Sequence, residues 1–96
     1  MLTMNEIKFR ISNLEHMMVP QDMFTTTIHH GRIDSLYWTI SNGELKSETE
    51  IRNRIKRIEE ELLVLSPNLQ QGDTLWYDEK SARIEELRGV LYGKSN

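Results

Sequence analysis

The chain has 96 residues, 38% of them hydrophobic and 28% charged, with a net charge of −3 and no cysteine. That is one domain's worth of sequence, 1–96, without disulfides or cysteine-based zinc sites. The acidic balance argues against a general nucleic-acid binder, and the longest apolar run, Leu62–Leu65, is far below the roughly 20 residues of a membrane span.

The first element is a helix over about Asn5–Met18. Met4, Ile7, Ile11, Leu14 and Met18 recur at alternating spacings of three and four, one apolar stripe of the coiled-coil kind. Pro20 ends it. A second helix is expected over about Asp22–Ser41, with Asp22 as its N-cap and Gly43 beyond its last apolar turn. Its first part, Met23–His30 ("MFTTTIHH"), is rich in β-branched residues and also reads as a strand. A short link, "NGELK", leads to a third helix over about Glu48–Leu65. Ser47 and Glu50 form a capping-box pattern there, Ile51, Ile55, Ile58, Leu62 and Leu65 form the stripe, and Pro67 stops it. The last helix is expected over about Asp73–Tyr92, with Asp73 as N-cap and Gly93 as C-cap. Its start, Asp73–Asp78 ("DTLWYD"), is ambiguous in the same way as Met23–His30.

The halves read alike. "EIKFRISNLE" at Glu6–Glu15 matches "EIRNRIKRIE" at Glu50–Glu59 at an offset of 44, and "RIDSLYWTI" matches "RIEELRGVL" at an offset of 51. The difference is one heptad, which keeps the buried face. The expected fold is therefore all-α, two helical hairpins with coiled-coil-like seams in a four-helix arrangement, the units spanning about 5–43 and 48–93. The alternative is α+β, with a short two-stranded element at 23–30 and 73–78. Each hairpin carries few stripe residues against a backbone entropy cost of about 1–2 kcal/mol per residue, so a homodimer or higher homo-oligomer is expected.

No catalytic constellation is legible, and the chain is read as non-enzymatic, with no cofactor and no metal. His29 and His30 are adjacent and diverge by about 100° on a helix, which does not make a shared metal site. His29 falls on the apolar stripe, where a polar residue fixes register; its counterpart in the second half is Lys80. The carboxylate runs Glu59–Glu61 and Glu85–Glu86, with Asp34 and Asp78, read as a solvated face. The aromatic residues are more informative. Tyr37, Trp38, Trp76 and Tyr77 lie in the second helix of each hairpin, near Arg32 and Arg83. Trp38 faces Gly89 in the alignment of the halves, so the copies agree on the core and differ here. Trp, Tyr and Arg dominate interface energetics, and these six residues are the candidate binding surface.

"RIDSLYWTIS" and "ARIEELRGVL" resemble a helix found in small phage-encoded accessory proteins, some of which act as anti-defence factors. The resemblance implies a protein that binds and inhibits a host defence or regulatory protein, and it carries over no individual residue. A second reading is an oligomeric sponge for a small nucleotide signal, held by arginine and aromatic groups. A third is a structural coiled-coil component. The opening residues Met1–Glu6 lack the order of a signal peptide, so a cytoplasmic location is expected, the host cytoplasm if the source is viral.

Overall fold

A computed structural model describes residues 1–17, 22–65 and 74–93. They form four α-helices: α1 (Met4–His16), α2 (Met23–Thr39), α3 (Glu48–Leu65) and α4 (Thr74–Tyr92), with a 3-10 turn at Ser41–Gly43. There is no strand among the described residues. The all-α expectation holds, and the two-stranded alternative does not: Met23–His30 is the first half of α2 and Thr74–Asp78 the start of α4. Local capping decides the first case. Asp22 Oδ1 accepts the Thr25 N–H at 2.8 Å, supplying a helix start that outweighs the weak strand preference of three threonines. Pro20, Pro67 and Asp73 lie outside the described residues.

Both first arms start with the same device. Thr3 Oγ1 accepts the Glu6 N–H at 3.2 Å while the Glu6 carboxylate accepts the Thr3 N–H at 3.0 Å. Ser47 and Glu50 exchange the equivalent bonds at 3.1 and 3.3 Å. These are reciprocal capping boxes. At the other ends, Gly93 follows α4 with φ of +71°, the left-handed conformation that favours glycine after a helix, whereas α2 is capped by Ile40 and Gly43, with φ of +75°, closes the 3-10 turn beyond it.

One core joins all four helices. Ile7, Ile11 and Leu14 of α1, Leu36 of α2, Ile51, Ile55 and Ile58 of α3, and Leu87 and Val90 of α4 are buried in a single cluster, with Leu2 covering one end. The outer helices α1 and α3 bury one stripe each. The central pair, α2 and α4, pack against each other as well as against their hairpin partners, so they bury residues on more than one side. That is why small and polar residues are buried there: Gly31, Ser35 and Thr39 on α2, Glu79, Ala82 and Glu86 on α4.

Glu86 corrects the sequence reading of the Glu85–Glu86 run as a solvated face, and Glu79, which that reading did not take up, is buried as well. Glu86 is only 7% exposed and Glu79 5%. Both are held by cations, as buried carboxylates must be. Arg10 of α1 reaches Glu86 with two N–H donors at 2.8 and 3.3 Å, and Arg32 of α2 adds a third at 3.1 Å. Glu79 pairs with Arg83 one turn along α4.

Several contacts recur between the halves. The Leu2 N–H donates to the Val90 carbonyl at 2.8 Å, and the Lys46 N–H to the Thr39 carbonyl at 2.7 Å. Arg32 pairs with Glu85 at 3.3 Å, and Arg83 with Asp34 at 3.6 Å. His29 Nε2 donates to the Leu14 carbonyl of α1 at 2.7 Å, which places its ring proton on Nε2. Lys80 reaches back to Glu61 of α3 at 2.6 Å. Each of these last two ties the second arm of a hairpin to the end of its first arm.

Candidate functional site

The six sequence candidates do not form one surface. Arg32 is spent on Glu85 and Glu86 between α2 and α4. Tyr37 is exposed and its hydroxyl approaches Glu15 of α1 at 3.4 Å. Tyr77 is half-buried on α4. The remaining three, Trp38, Trp76 and Arg83, gather along one face of α3.

That face is built from α3 outward. Its stripe of Ile51, Ile55 and Ile58 turns into the core, which leaves Glu50, Asn53, Arg54, Arg57 and Glu61 on the flanks. Arg54 and Arg57 are one turn apart and so are neighbours on the helix surface. Trp38, from the end of α2, lies at one end of this flank and lines a groove of about 290 Å³ with Glu50, Asn53, Arg54 and Arg57. Trp76, from the start of α4, lies at the other end. It lines a second groove of about 250 Å³ with Arg54, Arg57, Ile58, Glu61, Glu79, Lys80 and Arg83. The two grooves share Arg54 and Arg57, so the face is continuous between the tryptophans.

The two tryptophans differ in kind. Trp38 is half-buried and packs on the core. The Arg54 guanidinium carbon lies 5.2 Å from its ring centroid and Lys46 Nζ 5.6 Å, both within cation–π range. Trp76 is 61% exposed, an open aromatic face of a size that proteins usually cover.

Electrostatics single out Arg54 and Arg57. The second groove carries four cations, Arg54, Arg57, Lys80 and Arg83, and two carboxylates, Glu61 and Glu79. The carboxylates are already taken, Glu61 by Lys80 and Glu79 by Arg83. The Lys80 hydrogen bond holds the Glu61 carboxyl below its ordinary value of 4.5, with the charges of Lys80, Arg54 and Arg57 acting in the same direction. Arg54 and Arg57 make no hydrogen bond or ion pair among the described residues. In a chain of net charge −3, this face is locally positive. Such a face attracts carboxylates or phosphates, which guanidinium groups bind in fork geometry.

Neither arginine was singled out from the sequence, where both read as ordinary outward positions of an amphipathic helix. The alignment of the halves held the signal: Arg54 falls on Arg10, and Ser35 falls on Glu86. Among the described residues no group of three or more histidine, aspartate or glutamate side chains is arranged to hold a metal ion, and no helix is long and apolar enough to cross a membrane. Comparison with protein-family models, with curated proteins and with solved structures finds no match.

Proposed function

We propose that the chain is a non-enzymatic binding protein that captures a partner protein stoichiometrically through the α3 face, the partner supplying an acidic segment to Arg54 and Arg57 and an apolar group to Trp76. The observation that carries this is the pair of guanidiniums that form no ion pair among the described residues and lie between two tryptophans. Arginine and tryptophan at the centre of a contact supply much of its energy, and charge complementarity sets its specificity and on-rate. The resemblance of the Arg32 and Arg83 helices to phage accessory proteins extends the proposal to a host defence or regulatory protein as the partner, bound in the host cytoplasm. Self-association belongs to the same proposal: Phe9, Met17 and Met23 are well exposed and offer a second copy apolar surface away from α3.

Affinity capture from the cells of origin tests this reading, with the wild-type chain beside Trp76→Ala and Arg57→Glu. Both positions are exposed, so both variants should keep the wild-type far-UV helicity. The expected result is a partner at fixed stoichiometry with the wild type and its loss with both variants. Equal recovery by all three would place the partner elsewhere.

A second reading is favoured by the open ring of Trp76 beside unpaired arginines. A nucleotide could stack its base on that ring and place its phosphates on Arg54 and Arg57. It is distinguished by a small molecule, rather than a protein, retained on purification.

A further inference from the structure

The contacts that recur between the halves follow a rule. At offsets of 44 for first arms and 51 for second arms, Leu2 maps to Lys46 and Thr39 to Val90; the bonds Leu2 to Val90 and Lys46 to Thr39 are then the same bond made in both directions. Arg32 with Glu85 and Arg83 with Asp34 are likewise one pair made twice. So, within each hairpin, are Tyr37 with Glu15 and Arg88 with Glu59. Residue i of one half meeting j of the other, while the counterpart of j meets the counterpart of i, is the mark of a two-fold, self-complementary contact.

One place breaks the rule. Arg10 of α1 and Arg32 of α2 converge on the buried carboxylate of Glu86. Their counterparts are Arg54 of α3 and Arg83 of α4, and the counterpart of Glu86 is Ser35, buried and too short to reach. Arg83 has turned to Asp34 and Glu79 instead. Arg54 has no acid. Its guanidinium lies over Trp38, where the other half has Gly89. A cation–π contact with a ring face uses none of the guanidinium's five N–H donors as a hydrogen bond to an acceptor.

We propose that Arg54 is a carboxylate receptor: it takes on α3 the sequence position that Arg10 takes on α1, with the Trp38 ring rather than an acid beside its guanidinium, and an aspartate or glutamate side chain of the partner fills the role that Glu86 fills in the other half. This deepens the partner reading above and rests on it. Arg57 widens the site to a second carboxylate. Its counterpart in the first half is the neutral Asn13, so the extra charge is particular to this side. A carboxylate is preferred to a phosphate because the intact twin site holds a carboxylate in two-donor contact with its arginine.

The test is calorimetric titration of the full chain with a hexaglutamate peptide and, separately, with tripolyphosphate, on the wild type, Arg54→Gln and Arg10→Gln. The expected result is saturable binding of hexaglutamate to the wild type, at least tenfold weaker in Arg54→Gln, with the melting temperature of that variant unchanged. Arg10→Gln should show the converse, a lowered melting temperature with peptide affinity kept. Peptide affinity unaffected in Arg54→Gln would overturn the proposal. So would a melting temperature lowered as much as in Arg10→Gln, no binding of either probe, or binding of tripolyphosphate alone. Capture with Trp76→Ala and Arg57→Glu tests the partner reading with Arg54 left in place, and the titration tests Arg54 with Trp76 and Arg57 left in place, so the two readings fail separately.

Discussion

Glu79 of α4 lies against the backbone of Gly31 of α2 so closely that a methyl group on Gly31 would come within 2.6 Å of its Oε1 and 3.0 Å of its Cγ. The glycine is what allows the central helices to close over a carboxylate. Gly31→Ala gains about 1 kcal/mol of helix propensity but must displace a buried side chain that also holds Arg83. Overpacking of this kind costs about 1–3 kcal/mol, so the net effect expected in urea denaturation is a loss of stability. In a Glu79→Ala background the obstruction is gone, and the same Gly31→Ala change should be neutral or stabilising. An equal loss in both backgrounds would mean that the contact is not what fixes glycine at this position.

Arg10 and Glu86 make a second prediction. Arg10→Gln removes two charge-assisted bonds from a buried carboxylate but leaves the one from Arg32. Hydrogen bonds to charged groups contribute about 1.5–3 kcal/mol, so a loss of about 2 kcal/mol is expected, read as a shift of the urea midpoint at constant slope. A shift below about 0.5 kcal/mol, the range of ordinary surface substitutions, would show that Arg32 alone satisfies the carboxylate.

His29 is predicted to act locally. Its bond to the Leu14 carbonyl secures the last turn of α1 against α2. His29→Ala should cost about 1 kcal/mol and raise amide exchange in the last turn of α1 first, since local opening follows the weakest contacts. Uniformly raised exchange across all four helices would mean that His29 supports the whole core instead.

A fourth prediction concerns acid. The Glu61 carboxyl is held below 4.5 by Lys80. A lowered folded-state value means that its contribution to stability is fully present above the ordinary value and is lost as pH falls through the folded value. Lys80→Gln should bring the Glu61 titration back towards 4.5, measured by carbon-detected NMR. An unchanged midpoint would assign the shift to Arg54 and Arg57, the weaker of the named influences.

The outer helices were the most legible part of the sequence. Ile7, Ile11 and Leu14, and Ile51, Ile55 and Ile58, bury one stripe each, and a single stripe shows as a clean three-and-four spacing. The central helices were harder because they are covered on more than one side. Gly31, Ser35, Thr39 and Ala82 are buried for their small size, which leaves no apolar signature. Glu86 was read as solvated because its neutralising partners, Arg10 and Arg32, are far away in sequence. Met23–His30 read as a strand by its threonines, and the Asp22 cap settled it as helix. Of the sequence candidates, Trp38 and Trp76 line the grooves of the α3 face, whereas Arg32 and Tyr37 serve other contacts. Arg54 and Arg57 carried no local signal. They stand out only once the contacts of the two halves are set side by side at the sequence offsets of 44 and 51.

The central claim is that the α3 face, between Trp38 and Trp76, holds a protein partner. Native mass spectrometry of the chain purified from its own source, as wild type and as Arg57→Glu, tests it most directly. The account predicts a complex with one protein partner in the wild type and the bare chain, alone or self-associated, in Arg57→Glu. A partner retained undiminished by Arg57→Glu, or a wild-type chain carrying only a small molecule, would contradict it.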